Sequence, residues 1–285
     1  MPNTIAYQTL LAEALDKVLT PQLKTGSMEA NASGIKYNGG NKFKFAKIDM
    51  DDIGDYNRNT GFTQGAVTLE YEEKEFKYDW GKSFLIDAMD VDETNFITTA
   101  TNVLGEFERT KVVPKIDKTR MAELATYVPA GNKVSTAPTA ANIYSQILTG
   151  ISAITGETGL TEQDLEVYIN HTSYDLLSKS TEIQKVLNIG GSPNSINTKV
   201  NDINGAVIKE MPDSYMKTKD ATPKDIRFIV AYKKAPIAIV KHDKVRIFDP
   251  DTNQNADAWK IDVRVYHTLE VKDNDAAGLY ANISA

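Results

Sequence analysis

Four carboxylates, Asp87, Asp90, Asp92 and Glu93, lie close together in the chain, the supply that a general-acid and general-base pair would need. The same residues also open a helical pattern, with a carboxylate at its start and a glutamate three positions on, which resembles a capping box. Capping, together with contacts to basic groups of a neighbour, explains them more economically than catalysis. His171, His242 and His267 share no i, i+4 spacing, so a metal site would need distant carboxylates to converge on them. Asp49, Asp51 and Asp52, like Asp249, Asp251 and Asp257, offer oxygen ligands but follow no EF-hand pattern, and read as solvated loops. Ser173 lies near His171 without the GxSxG frame of a nucleophile elbow. Gly190 and Gly191 lack the lysine-ended cradle of a phosphate loop. With zero cysteines there is no thiolate nucleophile, no cysteine metal site and no disulfide, which fits a reducing cytoplasm. Phe76, Tyr78 and Trp80 offer stacking surfaces for bases, but the glutamates beside them repel phosphate, so they suit a core or interface. No cofactor is expected, and no enzyme.

Composition narrows the class further. At 285 residues the chain can bury a substantial core, as two domains or one elaborated domain. Its 41% hydrophobic and 25% charged content is ordinary for a globular protein. No apolar run reaches the ~18 residues that a membrane helix needs. The first residues lack the basic start and compact apolar block of a signal peptide. A net charge of −7 disfavours a grip on nucleic acid, since the lysines near 42–47 and 233–244 are interleaved with acidic or apolar positions. A mildly acidic surface suits a protein that sits beside DNA without adhering to it.

Periodicity places the elements that carry these groups. Ile5, Leu10, Leu11, Leu15, Val18 and Leu19 form a helical stripe that Pro21 ends. Residues 24–41 are Gly-rich and read as an extended arm with few apolar anchors. Residues 42–49 alternate as a strand, and 51–65 form a polar loop. Val67, Leu69 and Tyr71 then alternate on one face. Glu72, Glu73, Lys74 and Glu75 interrupt, and Phe76, Tyr78 and Trp80 resume one position out of phase. That pattern predicts a β-hairpin between these two halves, or one bulged strand, with a further short strand at 83–87. Its outward charges resist uncontrolled edge pairing while permitting specific pairing.

Phe96, Ile97, Ala100, Val103, Leu104 and Phe107 predict a long helix, kinked or broken at Pro114 and continued by apolar positions to Val128. Thr139 is expected to cap a second helix, whose stripe runs from Ile143 to Ile154 and stops at Gly156. A short buried strand at 165–169, helical turns at 171–177 and 181–187, and strands at 206–209, 226–232, 237–240, 245–248 and 259–271 follow. This order indicates an α/β or α+β fold.

Several phrases, taken in order, carry a resemblance: Trp80-Gly-Lys-Ser-Phe-Leu-Ile-Asp87 with Asp90-x-Asp-Glu-Thr94; Val113-Pro-Lys-Ile-Asp117-Lys-x-Arg120; and Tyr168-Ile-Asn-His-x-Ser-Tyr174. Further phrases are Ile203-Asn-Gly205 through Pro212, Lys234-Ala-Pro236 through Arg246, and Trp259-x-Ile-Asp-Val-Arg-Val-Tyr266 into Gly278-Leu-Tyr280. Together they resemble the major capsid proteins of tailed bacteriophages, with the Hong Kong 97-type fold. The resemblance implies an α+β chain with an N-terminal arm over neighbouring subunits (1–41) and an extended loop, the E-loop, overlapping the adjacent subunit (42–80). It implies a peripheral domain with a long spine helix (81–138), an axial domain (139–245) and C-terminal strands returning to the peripheral domain (246–285).

The implied function is self-assembly, as hexamers and pentamers, into an icosahedral head enclosing double-stranded DNA without sequence-specific binding. A scaffold protein and a portal are expected partners, the scaffold being a separate protein or else a segment removed by cleavage, with assembly in the host bacterial cytoplasm and no membrane. Relatives that cross-link use a Lys–Asn pair; Lys74, Lys77, Lys82 and Asn282 are present, but nothing local singles out a pair. An encapsulin-like compartment is the alternative, and a carboxylate-based hydrolase a remote one. The residues expected to meet a neighbouring subunit are Glu70, Glu72, Glu73, Lys74, Glu75 and Lys77.

Overall fold

The computed structural model of the chain describes residues 23–32, 36–37, 41–59, 61–87, 104–105, 107–182, 199–248, 251–252 and 258–285. The helical stripe from Ile5 to Leu19, the acidic start at Asp90–Glu93, most of the first half of the long helix and most of the helix expected at 181–187 lie outside these residues.

Three sheets organise the described chain. The first joins β1 (Lys36–Tyr37), β2 (Lys42–Met50) and β3 (Val67–Glu75) in that order. The second places β4 (Tyr78–Asp87) beside β11 (Ala258–Val271), which pairs in turn with β10 (Pro236–Phe248). The third has six strands in the order β5 (Lys133–Val134), β12 (Leu279–Ile283), β9 (Ile226–Tyr232), β6 (Leu165–Asn170), β8 (Ala206–Met211) and β7 (Asp202–Ile203). Its pairings are mixed: β6 runs parallel to β8 and β12 parallel to β5, while the other pairs are antiparallel.

Alternation along these strands gives the six-stranded sheet two apolar faces. On one face Tyr168, Ile229 and Ala231 meet Met121, Leu124 and Ala125 of α1 (Val113–Tyr127). On the other, Val167, Ile169, Phe228 and Val230 meet Ile143, Ile147, Ile151 and Ile154 of α2 (Ile143–Thr158), with Leu177 of α3 (His171–Ser178). Close approach of α2 depends on Gly150, where a Cβ would lie 2.7 Å from the Tyr280 ring.

The hairpin expected between 67–71 and 76–80 is different in fact. β3 pairs with β2, from Lys42↔Glu75 to Met50↔Val67, across the loop at 51–66. Residues 78–80 and 83–87 belong to a single strand, β4, on β11. The phase slip at Phe76 therefore marks a change of sheet. The Phe76 N–H closes the first ladder on the Asn41 carbonyl, and its side chain is buried before the chain enters β4. The strands expected at 237–240 and 245–248 are likewise one, β10, with an irregular register between Val240 and His242.

Pro114 is the second residue of α1 and does not end the helical path: a π-helical turn (Glu108–Val112) runs directly into it, with Val112 and Val113 both in helical conformation. Asn142, not Thr139, stands at the N-cap position of α2; the helix passes Gly156 and ends at Gly159, whose φ of 69° suits a C-cap. The segment 24–41 is not merely extended. It contains a 3-10 stretch (Gly26–Ala32) that buries Met28 in the main core.

Candidate assembly interface

The β2–β3 ribbon is anchored at its root and uncovered at its outer end. At the root, Phe43, Phe45 and Phe76 pack with Ile237 and Ile239 of β10, and the Phe43 ring lies 5.3 Å from Phe45 and 5.1 Å from Phe76. Further out, the cross-strand pairs Ala46↔Tyr71, Ile48↔Leu69 and Met50↔Val67 share one face, and Lys47↔Glu70 lies on the other. The apolar face is open: Ile48 is 55% exposed, Met50 67%, Val67 70% and Leu69 55%. Ile53, Tyr56 and Phe62 in the connecting loop are exposed as well. Eight of the eleven exposed large hydrophobics among the described residues therefore lie on this one device, a clustering that marks a surface meant to be covered.

The charged residues expected to face a neighbour have partners within the chain. Lys42 pairs with Glu73 at 3.0 Å and Glu75 at 3.4 Å, raising the Lys42 pKa and lowering that of Glu73. Lys74 meets Asp273 at 3.3 Å and Glu72 at 3.8 Å. Glu70 alone of the six makes no ion pair with a described residue. Lys77, at the corner between β3 and β4, is more deeply engaged. Its Nζ lies 2.9 Å from the buried Glu270, donates to the Tyr127 hydroxyl at 2.9 Å, and is 3.6 Å from the buried Glu123. Burial opposes its charge, but these partners prevail and raise its pKa. Tyr127 in turn donates to Glu270, and burial followed by that bond pushes its pKa up to about 12. Glu123 also receives Tyr78 and, at 2.6 Å, Lys219. This cluster clamps the ribbon's corner to α1, β11 and the loop carrying Lys219. The visible signal was a glutamate inside each of two apolar patterns, beside Leu124 and between Leu269 and Val271.

A second polar cluster ties the segment before β1 to α1. The buried Asp117 accepts from the Thr25 hydroxyl at 2.6 Å and from the N–H groups of Thr25 and Lys24 at 3.2 and 3.3 Å. Burial raises its pKa, partly offset by those bonds. Arg120, fully buried, donates to Glu29 at 2.5 Å and to the Thr25 Oγ at 3.1 Å. The Asp117-Lys-x-Arg120 phrase thus acts as a socket for an N-terminal segment.

The other candidates do not converge. Ser173 is buried, and its N–H donates to Asn170 Oδ1 at 2.8 Å as part of a helix cap. His171 is exposed and hydrogen-bonded to Glu210, which raises its pKa. His267 is buried between Tyr78 and Trp80, with ring centroids at 5.4 and 4.6 Å. Burial, reinforced by Arg120 and Lys115, holds its pKa down at about 3. Asp51 accepts the Ala66 N–H at 2.7 Å, closing the ribbon's loop. Among the described residues no group of three or more His, Asp or Glu is placed to hold a metal, and no helix is long and apolar enough to cross a membrane.

No family model and no curated protein matches the chain. Solved structures do. The capsid of cyanophage P-SCSP1u aligns with a TM-score of 0.66 at 14% identity, over 88% of this chain and 85% of that one. The mature capsid of bacteriophage PhiM1 aligns at 0.59 and 13%, over 86% and 82%. A virus-like particle from Pyrococcus furiosus aligns at 0.54 and 13%, over 97% of both chains. The chain has the α+β fold of tailed-phage major capsid proteins.

Proposed function

We propose that this chain is the shell-forming subunit of a tailed-phage head, assembling with copies of itself into an icosahedral shell around double-stranded DNA. The observation that carries this reading is the open apolar face of the β2–β3 ribbon, on a fold otherwise found in shells. In this reading residues 42–80 form the overlapping loop, 81–138 the peripheral domain with its spine helix, 139–245 the axial domain, and 246–285 the returning strands; residues 1–41 form the arm. Glu70, Glu72, Glu73, Lys74, Glu75 and Lys77 form the charged margin of the contact. Glu70 is its least committed member, suited to basic residues on a neighbour's α1 such as Lys118. Individual contacts are weak and are multiplied by symmetry. A scaffold protein and a portal complete the assembly, in the host cytoplasm.

The full-length alignment to the Pyrococcus furiosus particle supports a second reading, a compartment shell; neighbouring portal and terminase genes separate the two. The ribbon is tested with Ile48→Ser/Leu69→Ser. The expected result is a monomer with an unchanged circular dichroism spectrum that sediments without the large species wild type forms. Wild-type assembly by the variant would contradict the role given to this face.

A further inference from the structure

A groove of about 510 Å³ lies between the β4–β11 face and α1 with its lead-in turn. Its floor is aromatic, from Trp80, Phe84 and Phe107. Its rim carries the exposed Lys82, Lys111 and Lys115, none of which makes an ion pair with a described residue. The loop closing the β2–β3 ribbon has the converse make-up. Tyr56 and Phe62 pack with ring centroids 4.9 Å apart, and the exposed Asp51, Asp52 and Asp55 outnumber Arg58. This knob is preformed: the Gly61 N–H donates to the Asn57 carbonyl at 2.7 Å, and the Asn57 N–H to that of Gly61 at 3.2 Å. A ready-made aromatic knob loses little conformational freedom on burial.

Knob and groove do not meet within one chain, where Ile53 is 97% exposed and Phe62 86%. The nine residues of β3 carry the knob roughly 30 Å from the corner at Lys77, at ~3.3 Å of rise per strand residue. We propose that the knob of one copy seats in the groove of a second copy, with Tyr56 and Phe62 over the aromatic floor and the aspartates against the three lysines. The inference rests on the shell function proposed for the chain and names the seat on which the ribbon lands. Aromatic anchors in a pocket, rimmed by opposite charges, are the parts of an interface that carry most of its binding energy and fix its register. Because the two surfaces differ, the contact is head-to-tail and repeats from copy to copy until a ring closes.

The chain has no cysteine, so Asn59→Cys on the knob and Lys111→Cys on the rim can be placed in separate chains, each keeping the aromatic anchors. Assembled as a mixture and treated with a short bismaleimide, they should give a dimer-mass product that neither gives alone. A product from Asn59→Cys alone would set knob on knob, and no product from an assembled mixture would leave the groove to another occupant. Either result overturns the proposal while the shell function stands; a wild-type chain that never assembles overturns both. Should the cysteine chains not assemble, charge exchange decides. Asp52→Lys/Asp55→Lys and Lys111→Glu/Lys115→Glu should each lower assembly yield several-fold, and the two pairs combined in one chain should restore it. A combined variant that assembles no better than either pair alone would overturn the seat.

Discussion

His267 is a histidine in an apolar position. It continues the inward row of β11 after Val263 and Val265, its ring is packed by Tyr78 and Trp80, and neither ring nitrogen has a hydrogen-bond partner among the described residues. Folding holds its pKa at about 3 against 6.5 ordinarily, so between those values the unfolded chain binds a proton that the folded chain does not. Its contribution is present above pH 6.5 and is lost as pH falls toward 3, at up to about 1.4 kcal/mol per pH unit. His267→Phe should stabilise the protein by about 1 kcal/mol at pH 7, since it removes an unpaired buried polar group. The gain over wild type should widen toward pH 5; urea titrations at both pH values check this. Lys77 predicts the opposite sign. Lys77→Met leaves the buried Glu270 with hydrogen bonds from Tyr127 and Thr268 but without its counter-charge, and weakens the hold on Glu123, at a cost of about 2 kcal/mol. That is modest for a buried pair, because Lys77 is 36% exposed and solvent screens it.

At the scale of elements, the strands with strict alternation and the helices with clear stripes were legible, because burial on one face imposes their period. Residues 42–49, 165–169 and 226–232 fall within or on β2, β6 and β9, and the Ile143–Ile154 stripe lies on α2. Pairing was not legible. The phase slip at Phe76 looks the same in sequence whether the chain folds back on itself or passes to another sheet; only the distant Phe43, Ile237 and Ile239 decide which. β12 escaped because its short run, Leu279–Ile283, is buried with no alternation to read. Charged candidates were visible as a cluster, and Glu123 and Glu270 as glutamates within apolar patterns, yet nothing local says that Lys77 and Lys74 pair with Glu123, Glu270 and Asp273. Helix packing yields a direct test: Gly150→Val forces a branched side chain against Tyr280 and should lower stability by about 2 kcal/mol or more, read as a shift in urea midpoint.

For the whole molecule, the features fit the proposed role as a shell subunit. A ribbon clamped at its corner by Lys77 holds an apolar face away from its own core, and the clamp reaches α1, β11 and the loop carrying Lys219. In the proposed assembly, charge at the ribbon's margin guides rather than glues, because one exposed pair contributes only about 0–1 kcal/mol. Single reversals should therefore be silent, whereas Glu70→Lys/Glu75→Lys should reduce assembly yield far more than its small effect on the monomer, where the exposed contacts to Lys42 and Lys47 are worth only about 0–1 kcal/mol each; sedimentation and urea titration together check it. The most direct measurement is negative-stain microscopy of the expressed wild-type chain, alone and with candidate scaffold proteins. Closed shells or capsomer rings are predicted; strictly monomeric protein under every condition would contradict the shell function.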